Sequence, residues 1–234
     1  MQIEAILFDK DGTLIDFDAT FNPAVRHVIE TISGGDKTLI EDIAQRWDFD
    51  LETGEISSSS IIIAGSGYDI TAAVAPLLGI DDVRAYSRHL DKLYGEICKD
   101  TVEALPGLEA TLGTLRTDRF VLGIATNDAQ ENAEAQMGTL GFTKFFDHIL
   151  GADSGYGAKP DAGMILGFCD QAKILPEKTL MVGDSLHDLK AGKAAGAFTC
   201  GVETGPATAE ELAPFADVVL PSAANLPEYL KQSM

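Results

Sequence analysis

Residues 3–14 read Ile3-Glu4-Ala5-Ile6-Leu7-Phe8-Asp9-Lys10-Asp11-Gly12-Thr13-Leu14. A short, mostly apolar run breaks into two aspartates two positions apart, followed by a Gly-Thr pair. Such a run suits a strand buried on both faces, as in a parallel sheet. In open α/β sheets ligands bind outside the carboxyl ends of the strands, so Asp9 and Asp11 stand where a ligand belongs. The Gly-Thr turn lets the backbone bend away and leave amide N–H groups free. A carboxylate there can attack phosphorus, and a second one nearby can move a proton. Asp and Gly are also ordinary turn residues, so this stretch alone leaves both readings open.

The same apolar style returns at residues 120–125, 148–151, 179–183, 198–202 and 218–220. Helical patterns fall between most of these runs, at 129–140, 162–172 and 186–195. Strands alternating with helices imply βαβ units and a doubly wound, Rossmann-like parallel α/β sheet. Residues 16–104 differ, because their periodicity is helical throughout. Val25, Val28, Ile29 and Ile32 share one face, and Leu39, Ile43 and Trp47 share another. Residues 70–78 and 83–97 read as two more helices, with Asp69 and Asp81 at the expected N-caps. The expected division is a core of residues 1–15 plus 105–234 and an inserted helical cap of 16–104. Leu105-Pro106-Gly107 is the turn that marks the return. The polar run 57–60 reads as a loop.

Three further clusters follow sheet strands. Ile124-Ala125-Thr126-Asn127-Asp128 offers a hydroxyl and turn amides to an anion, while Asn127 or Asp128 serves equally well as a helix N-cap. Lys159-Pro160-Asp161 places a lysine before a proline suited to open a helix. The glycine-bearing connection 151–158 is long enough to curl and bring Lys159 back over the sheet edge. In Met181-Val182-Gly183-Asp184-Ser185-Leu186-His187-Asp188, Asp184 and Asp188 share a face across a helix start. Hard cations such as Mg²⁺ prefer carboxylate and carbonyl oxygens, and Asp9, the Asp11 carbonyl and Asp184 form such a set. His187 is a bystander on this reading.

The bulk composition narrows the possibilities. The chain has 234 residues, 45% hydrophobic and 23% charged, an ordinary globular balance. A chain of this size buries about 70% of its unfolded surface and needs no staples. Three cysteines without CxxC spacing argue for a reducing compartment and against a zinc site. Neither a signal peptide nor an apolar stretch of membrane-spanning length is evident, so a cytoplasmic location is expected. The net charge of −20 repels nucleic acid and anionic lipid, which excludes both as partners. It also repels an anionic substrate, so a phosphate ester needs a locally cationic pocket. The oligomeric state is not legible.

Taken in order, the clusters D-x-D, Thr, Lys and G-D-x-x-x-D resemble the haloacid dehalogenase superfamily of phosphohydrolases. The likeness runs over essentially the whole chain. LFDKDGTL and VGDSLHD carry it most specifically, and the detail is most similar to phosphoglycolate phosphatase and its near relatives. The resemblance implies an Mg²⁺-dependent hydrolase of small phosphorylated metabolites. It implies that Asp9 is the nucleophile and Asp11 the acid and base. Thr126, the Asn127 backbone and Lys159 would hold the phosphoryl oxygens. Asp9, Asp11 through its carbonyl, and Asp184 would bind the metal, with Asp188 in support. The cap would close by hinging near residues 14–18 and 104–107.

Within that superfamily Asp11 argues against a dehalogenase, and DKDGT without membrane spans argues against a P-type ATPase. A β-phosphoglucomutase-like mutase stays open, as does a sugar or nucleotide phosphatase. Lys37, Lys92 and Lys99 give no signature of a Schiff-base lysine, which argues against a phosphonoacetaldehyde hydrolase. A non-catalytic phosphate- or partner-binding protein of the same fold is the alternative from another class. Arg26, Arg46 and Lys99 are candidates for meeting a substrate carboxylate, though each also reads as a solvated helix charge. Residues 53–67 are the expected loop facing the leaving group.

Overall fold

The computed structural model describes residues 2–57 and 60–233. The chain divides into two compact units, one combining Met1–Asp16 with Glu103–Met234 and the other formed by Phe17–Val102. Among the described residues no helix is long and apolar enough to cross a membrane.

The first unit is built on a six-stranded sheet in the order β3-β2-β1-β4-β5-β6, parallel at every pairing. Its strands are β1 (Ala5–Phe8), β2 (Val121–Ala125), β3 (His148–Leu150), β4 (Thr179–Gly183), β5 (Phe198–Val202) and β6 (Val218–Leu220). This is the doubly wound parallel sheet expected from the apolar runs. Burial explains the strand sequences: β1 and β4 are buried at every position, so neither alternates polar with apolar. The strand order reverses between β1 and β4, which creates the crevice where such sheets hold ligands. Register then sets what faces it. Phe8 lies level with Ile124 on one side and Val182 on the other. The Asp9 N–H extends the ladder by donating to Val182 O at 2.8 Å. Asp9, Thr126 and Asp184 therefore leave three adjacent strands within about one residue of the same level.

The two chain segments at the edge of this unit run side by side. Leu105 N–H donates to Leu14 O at 3.1 Å, and Asp16 N–H donates to Glu103 O at 2.9 Å.

The second unit contains α1 (Phe17–Ile32), α2 (Lys37–Trp47), the single turn α3 (Ile61–Ala64), α4 (Gly67–Leu78) and α5 (Val83–Thr101). Its core gathers Val25, Val28 and Ile29 of α1, Ile43 and Trp47 of α2, Val74 of α4, and Leu90 and Cys98 of α5. Ile32 and Leu39 pack against it partly buried, so the expected faces hold. The expected caps do not. Ser66 caps α4, and Asp69 sits three residues in, its Oδ2 accepting from Ser66 N–H at 3.0 Å. A capping box places the acid at N3 rather than at the cap, so the helix starts earlier than its apolar pattern. Asp82 rather than Asp81 caps α5, accepting from Ala85 N–H at 3.0 Å. Residues 53–67 are not wholly a loop, because α3 interrupts them where Ser60 caps three consecutive isoleucines. Ser58 and Ser59, part of the polar run 57–60, lie outside the described residues.

The remaining helices belong to the first unit: α6 (Leu108–Thr117), α7 (Gln130–Thr139), α8 (Gly163–Ala172), α9 (Leu186–Ala195), α10 (Ala209–Leu212) and α11 (Leu226–Ser233). Neither Asn127 nor Asp128 is the N-cap of α7. Ala129 holds that position, and Asp153 reaches across to accept from Gln130 N–H at 2.9 Å. Pro160 does not open α8 either. Residues 158–161 form a turn closed by Asp161 N–H donating to Ala158 O at 3.0 Å, and the helix starts at Gly163.

Trp47 is the largest fully buried side chain, and its indole N–H donates to Ile70 O at 3.0 Å. Trp47→Ala empties that volume and orphans the carbonyl. It is expected to cost about 3–5 kcal/mol, read from urea unfolding followed by circular dichroism. A loss below about 1 kcal/mol would contradict this packing.

Candidate active site

The tip of β1 curls tightly after Asp9. Thr13, Leu14 and Ile15 all direct their N–H groups at the Lys10 carbonyl, at 3.4, 2.8 and 3.0 Å. Gly12 makes the curl possible with a φ of +73°, a conformation that side chains resist. Its lack of a side chain has a second use, since a Cβ there would strike the Asp184 carboxylate. Gly205 is constrained by the same carboxylate, and Thr204 Oγ1 donates to Gly12 O at 2.5 Å. Thr13 Oγ1 donates to Asp184 Oδ1 at 3.1 Å, so Asp184 is gripped from several sides.

Lys159 arrives from the connection after β3. The Asn127 side chain brackets it by reciprocal bonds: Oδ1 accepts from Lys159 N–H at 2.8 Å, and Nδ2 donates to Lys159 O at 3.0 Å. Both main-chain groups of Lys159 are thereby committed, which holds it out of a helix. Its Nζ donates to Asp9 Oδ1 and to Asp188 Oδ1, each at 2.5 Å. Asp188 is fixed in turn, because its Oδ2 accepts from Ser185 N–H at 3.1 Å and Ser185 Oγ at 2.6 Å. Thr126 Oγ1 accepts from Asp128 N–H at 3.1 Å, which leaves its own proton for donation.

Asp9, Asp184 and Asp188 each offer an oxygen within 4.8 Å of the others, and all three are buried. Asp11 stands apart from this trio. Its carboxylate turns to Lys10 Nζ at 2.6 Å. Lys10 also meets Asp128 at 3.2 Å, and Lys159 meets Asp9 and Asp188. Counting Asp184, five carboxylates face two ammonium groups, leaving three negative charges uncompensated if all ionise.

The titration behaviour follows from that imbalance. Burial pushes Asp9 up to about 7, with the Asp188 and Asp11 charges adding to it and Lys159 opposing. Burial likewise raises Asp184 well above the usual carboxylate range, and the Asp9 and Asp188 charges push the same way. Burial would lower the Lys159 ammonium, but Asp188 and Asp9 outweigh it and hold the group above ordinary lysine. The trio with its excess negative charge suits a hard divalent cation taking oxygen ligands.

The structure thus brings Asp9, Thr126, Asn127, Lys159, Asp184 and Asp188 to one end of the sheet. The part played by the Asn127 side chain was not legible in sequence. Nor were Thr13, Thr204, Gly205, Lys10 and Gln136. Arg26 is committed inside the second unit, donating to Leu51 O at 2.7 Å with its guanidinium 5.6 Å over the Phe49 ring.

A family profile described as haloacid dehalogenase-like hydrolase matches residues 6–202. The phosphoglycolate phosphatase of Salmonella typhi is 28% identical over 87% of this chain and 82% of its own length. A Clostridium perfringens protein named "Putative pyrophosphatase PpaX" is 29% identical over 86% of this chain and 84% of its own. Among solved structures, CbbY from Rhodobacter sphaeroides in complex with phosphate superposes with a TM-score of 0.72 at 23% identity, covering 96% of each chain.

Lys159→Met removes the ammonium between two buried carboxylates. In chelator at pH 8 the variant is expected to lose about 3–5 kcal/mol, measured by urea unfolding. The loss should shrink at pH 5, where Asp9, pushed up to about 7 by burial, takes up a proton instead of remaining charged and unpaired. An equal loss at both pH values would count against this account.

Proposed function

This chain belongs to the haloacid dehalogenase-like hydrolase family, and on that premise we propose that it is an Mg²⁺-dependent phosphatase of small phosphate monoesters. The observation that carries the reading is Lys159 Nζ seated between Asp9 and Asp188, with Asp184 beside them, where the strand order reverses. That arrangement supplies a nucleophile, a fixed cation and a metal-type oxygen cluster in one crevice.

On this reading Asp9 attacks phosphorus. The bond to the leaving oxygen breaks, and an aspartyl-phosphate forms. Asp11 gives its proton to the departing alcohol and then takes one from the water that hydrolyses the intermediate. Thr126 Oγ1, the Asn127 main chain and Lys159 Nζ hold the phosphoryl oxygens. Asp9, Asp184 and the Asp11 carbonyl would hold Mg²⁺, with Asp188 in support. When bound, the metal supplies positive charge against the repulsion between carboxylate and phosphate. Asp9 must be ionised to attack, and Lys159 favours that form against the cost of burial.

2-Phosphoglycolate is the substrate we favour, supported by the Salmonella typhi relative. The pyrophosphatase-named relative makes pyrophosphate the necessary comparison. Values of kcat/KM for both, for sugar phosphates and for nucleoside monophosphates rank these choices directly.

Hydrolysis of p-nitrophenyl phosphate should require Mg²⁺ and stop with EDTA. Asp9→Asn should lower kcat by roughly 1,000-fold or more. Full activity in EDTA, or an Asp9→Asn variant at wild-type rate, would overturn the mechanism.

Metal binding should also show in stability. A carboxylate whose folded pKa is raised to about 7 is protonated without penalty at low pH. Its burial destabilises the fold progressively as pH rises from its ordinary value through about 7. A divalent cation offsets that penalty. The Tm gain on adding Mg²⁺ is therefore expected to be larger at pH 8 than at pH 5, and an equal gain at both would refute the assignment.

A further inference from the structure

Lys10 lies between the two aspartates of β1's tip, yet its side chain is fully buried. Its Nζ donates to Asp11 Oδ1 and to Gln136 Oε1, both at 2.6 Å, and lies 3.2 Å from Asp128 Oδ2. The partners across from Asp11 are themselves anchored. Asp128 Oδ1 accepts from Ala129 N–H at 2.7 Å and from Asn132 Nδ2 at 3.0 Å, which ties it to the start of α7. Gln136 lies further along α7 and is buried beside Ala133 and Met137. Lys10 therefore joins the Asp11 carboxylate to a rigid helix.

A buried ammonium is an expensive way to join a loop to a helix. An apolar side chain of similar volume would fill the space without desolvating a charge, and such replacements are often neutral or stabilising. The expense has a return at Asp11, whose carboxylate is partly exposed and would otherwise choose among rotamers in water. Without Lys10 it would also face the Asp128 carboxylate with no cation between them.

We propose that Lys10 is a positioning residue which, with Asp128 and Gln136, fixes the Asp11 carboxylate for proton transfer to the leaving group. This rests on the reading of Asp11 as the acid and base. Lys10 acts through the Asp11 carboxylate it holds and not on the substrate. Its effect is on geometry: an acid displaced from the leaving oxygen cannot protonate it as the P–O bond breaks.

The test exploits the leaving group. The leaving group of 2-phosphoglycolate is an alkoxide that needs a proton, whereas that of 2,4-dinitrophenyl phosphate is a stable phenolate that does not. Lys10→Met is expected to lower kcat/KM for the alkyl ester about 10- to 100-fold more than for the dinitrophenyl ester. The inhibition constant of inorganic phosphate should stay within about threefold of wild type, because the phosphoryl-binding groups are untouched. Asp11→Asn sets the scale and should show the same selectivity more strongly. Asp128→Asn and Gln136→Leu loosen the clamp from the helix side and should show it more weakly. They carry the test should Lys10→Met fail to fold by circular dichroism.

A uniform fall for both esters in Lys10→Met, or in the two helix-side variants, would make the contact purely structural and overturn the proposal. Selectivity in Asp11→Asn but in none of the others would overturn it while leaving the role of Asp11 standing. No selectivity in Asp11→Asn would remove the role of Asp11 and the proposal together.

Discussion

Like charges crowded at the carboxyl ends of β1 and β4 set the terms for the rest of the site. Asp9, Asp184 and Asp188 are buried within reach of one another, and water is largely kept from screening them. Each surrounding feature either compensates that crowding or holds it in place. Lys159 is threaded between two of the carboxylates, and Asn127 grips both sides of its main chain. Thr13 binds the third, while Gly12 and Gly205 give it room. A fold made for stability alone would not assemble this set, because buried charges rarely outperform apolar packing. Perturbed carboxylates gathered in the crevice of an open sheet mark a place where chemistry is done.

The same balance reconciles the chain's net charge of −20 with an anionic substrate. Long-range attraction does not bring a phosphate ester to such a protein. Capture has to be local, by groups desolvated enough for their charge to be felt over a few ångströms. Lys159 and Lys10 are both nearly or wholly buried, and their carboxylate partners outweigh the burial penalty to keep them protonated. Both ammonium groups are nevertheless outnumbered by the carboxylates around them, so local capture of an anion calls for further positive charge at this site.

Sequence patterning revealed the sheet because its strands are short apolar runs that end abruptly in Asp, Thr or Gly. The tips of β1, β2 and β4 were visible for that reason, and Asp9, Thr126 and Asp184 with them. Helix starts were less legible. A capping box puts its acid at N3, which misplaced the start of α4. The Thr208–Glu211 box of α10 went unread although its residues stand at the right spacing. The start of α6 gives no side-chain signal, since Gly107 caps it with a left-handed backbone alone. Contacts such as Lys10 to Gln136 span 126 positions, and no local pattern encodes them. One trace was present: a glutamine on the face of α7 that buries Ala133 and Met137 is a polar residue where an apolar one belongs. A buried polar side chain needs a partner, and the partner was the lysine inside the D-x-D motif.

That lysine changes how the motif is read. The intervening residue of D-x-D sits in the tight curl that follows β1, where its carbonyl collects three N–H groups. Lys10 reaches α7 from there, and its flexible stem returns the ammonium to Asp11. Asp9 is meanwhile held by Lys159, which arrives through the connection that follows β3. The two carboxylates therefore answer to different cations anchored on different elements. Two identical side chains two residues apart thus sit in different surroundings, as the proposed division into nucleophile and acid would require.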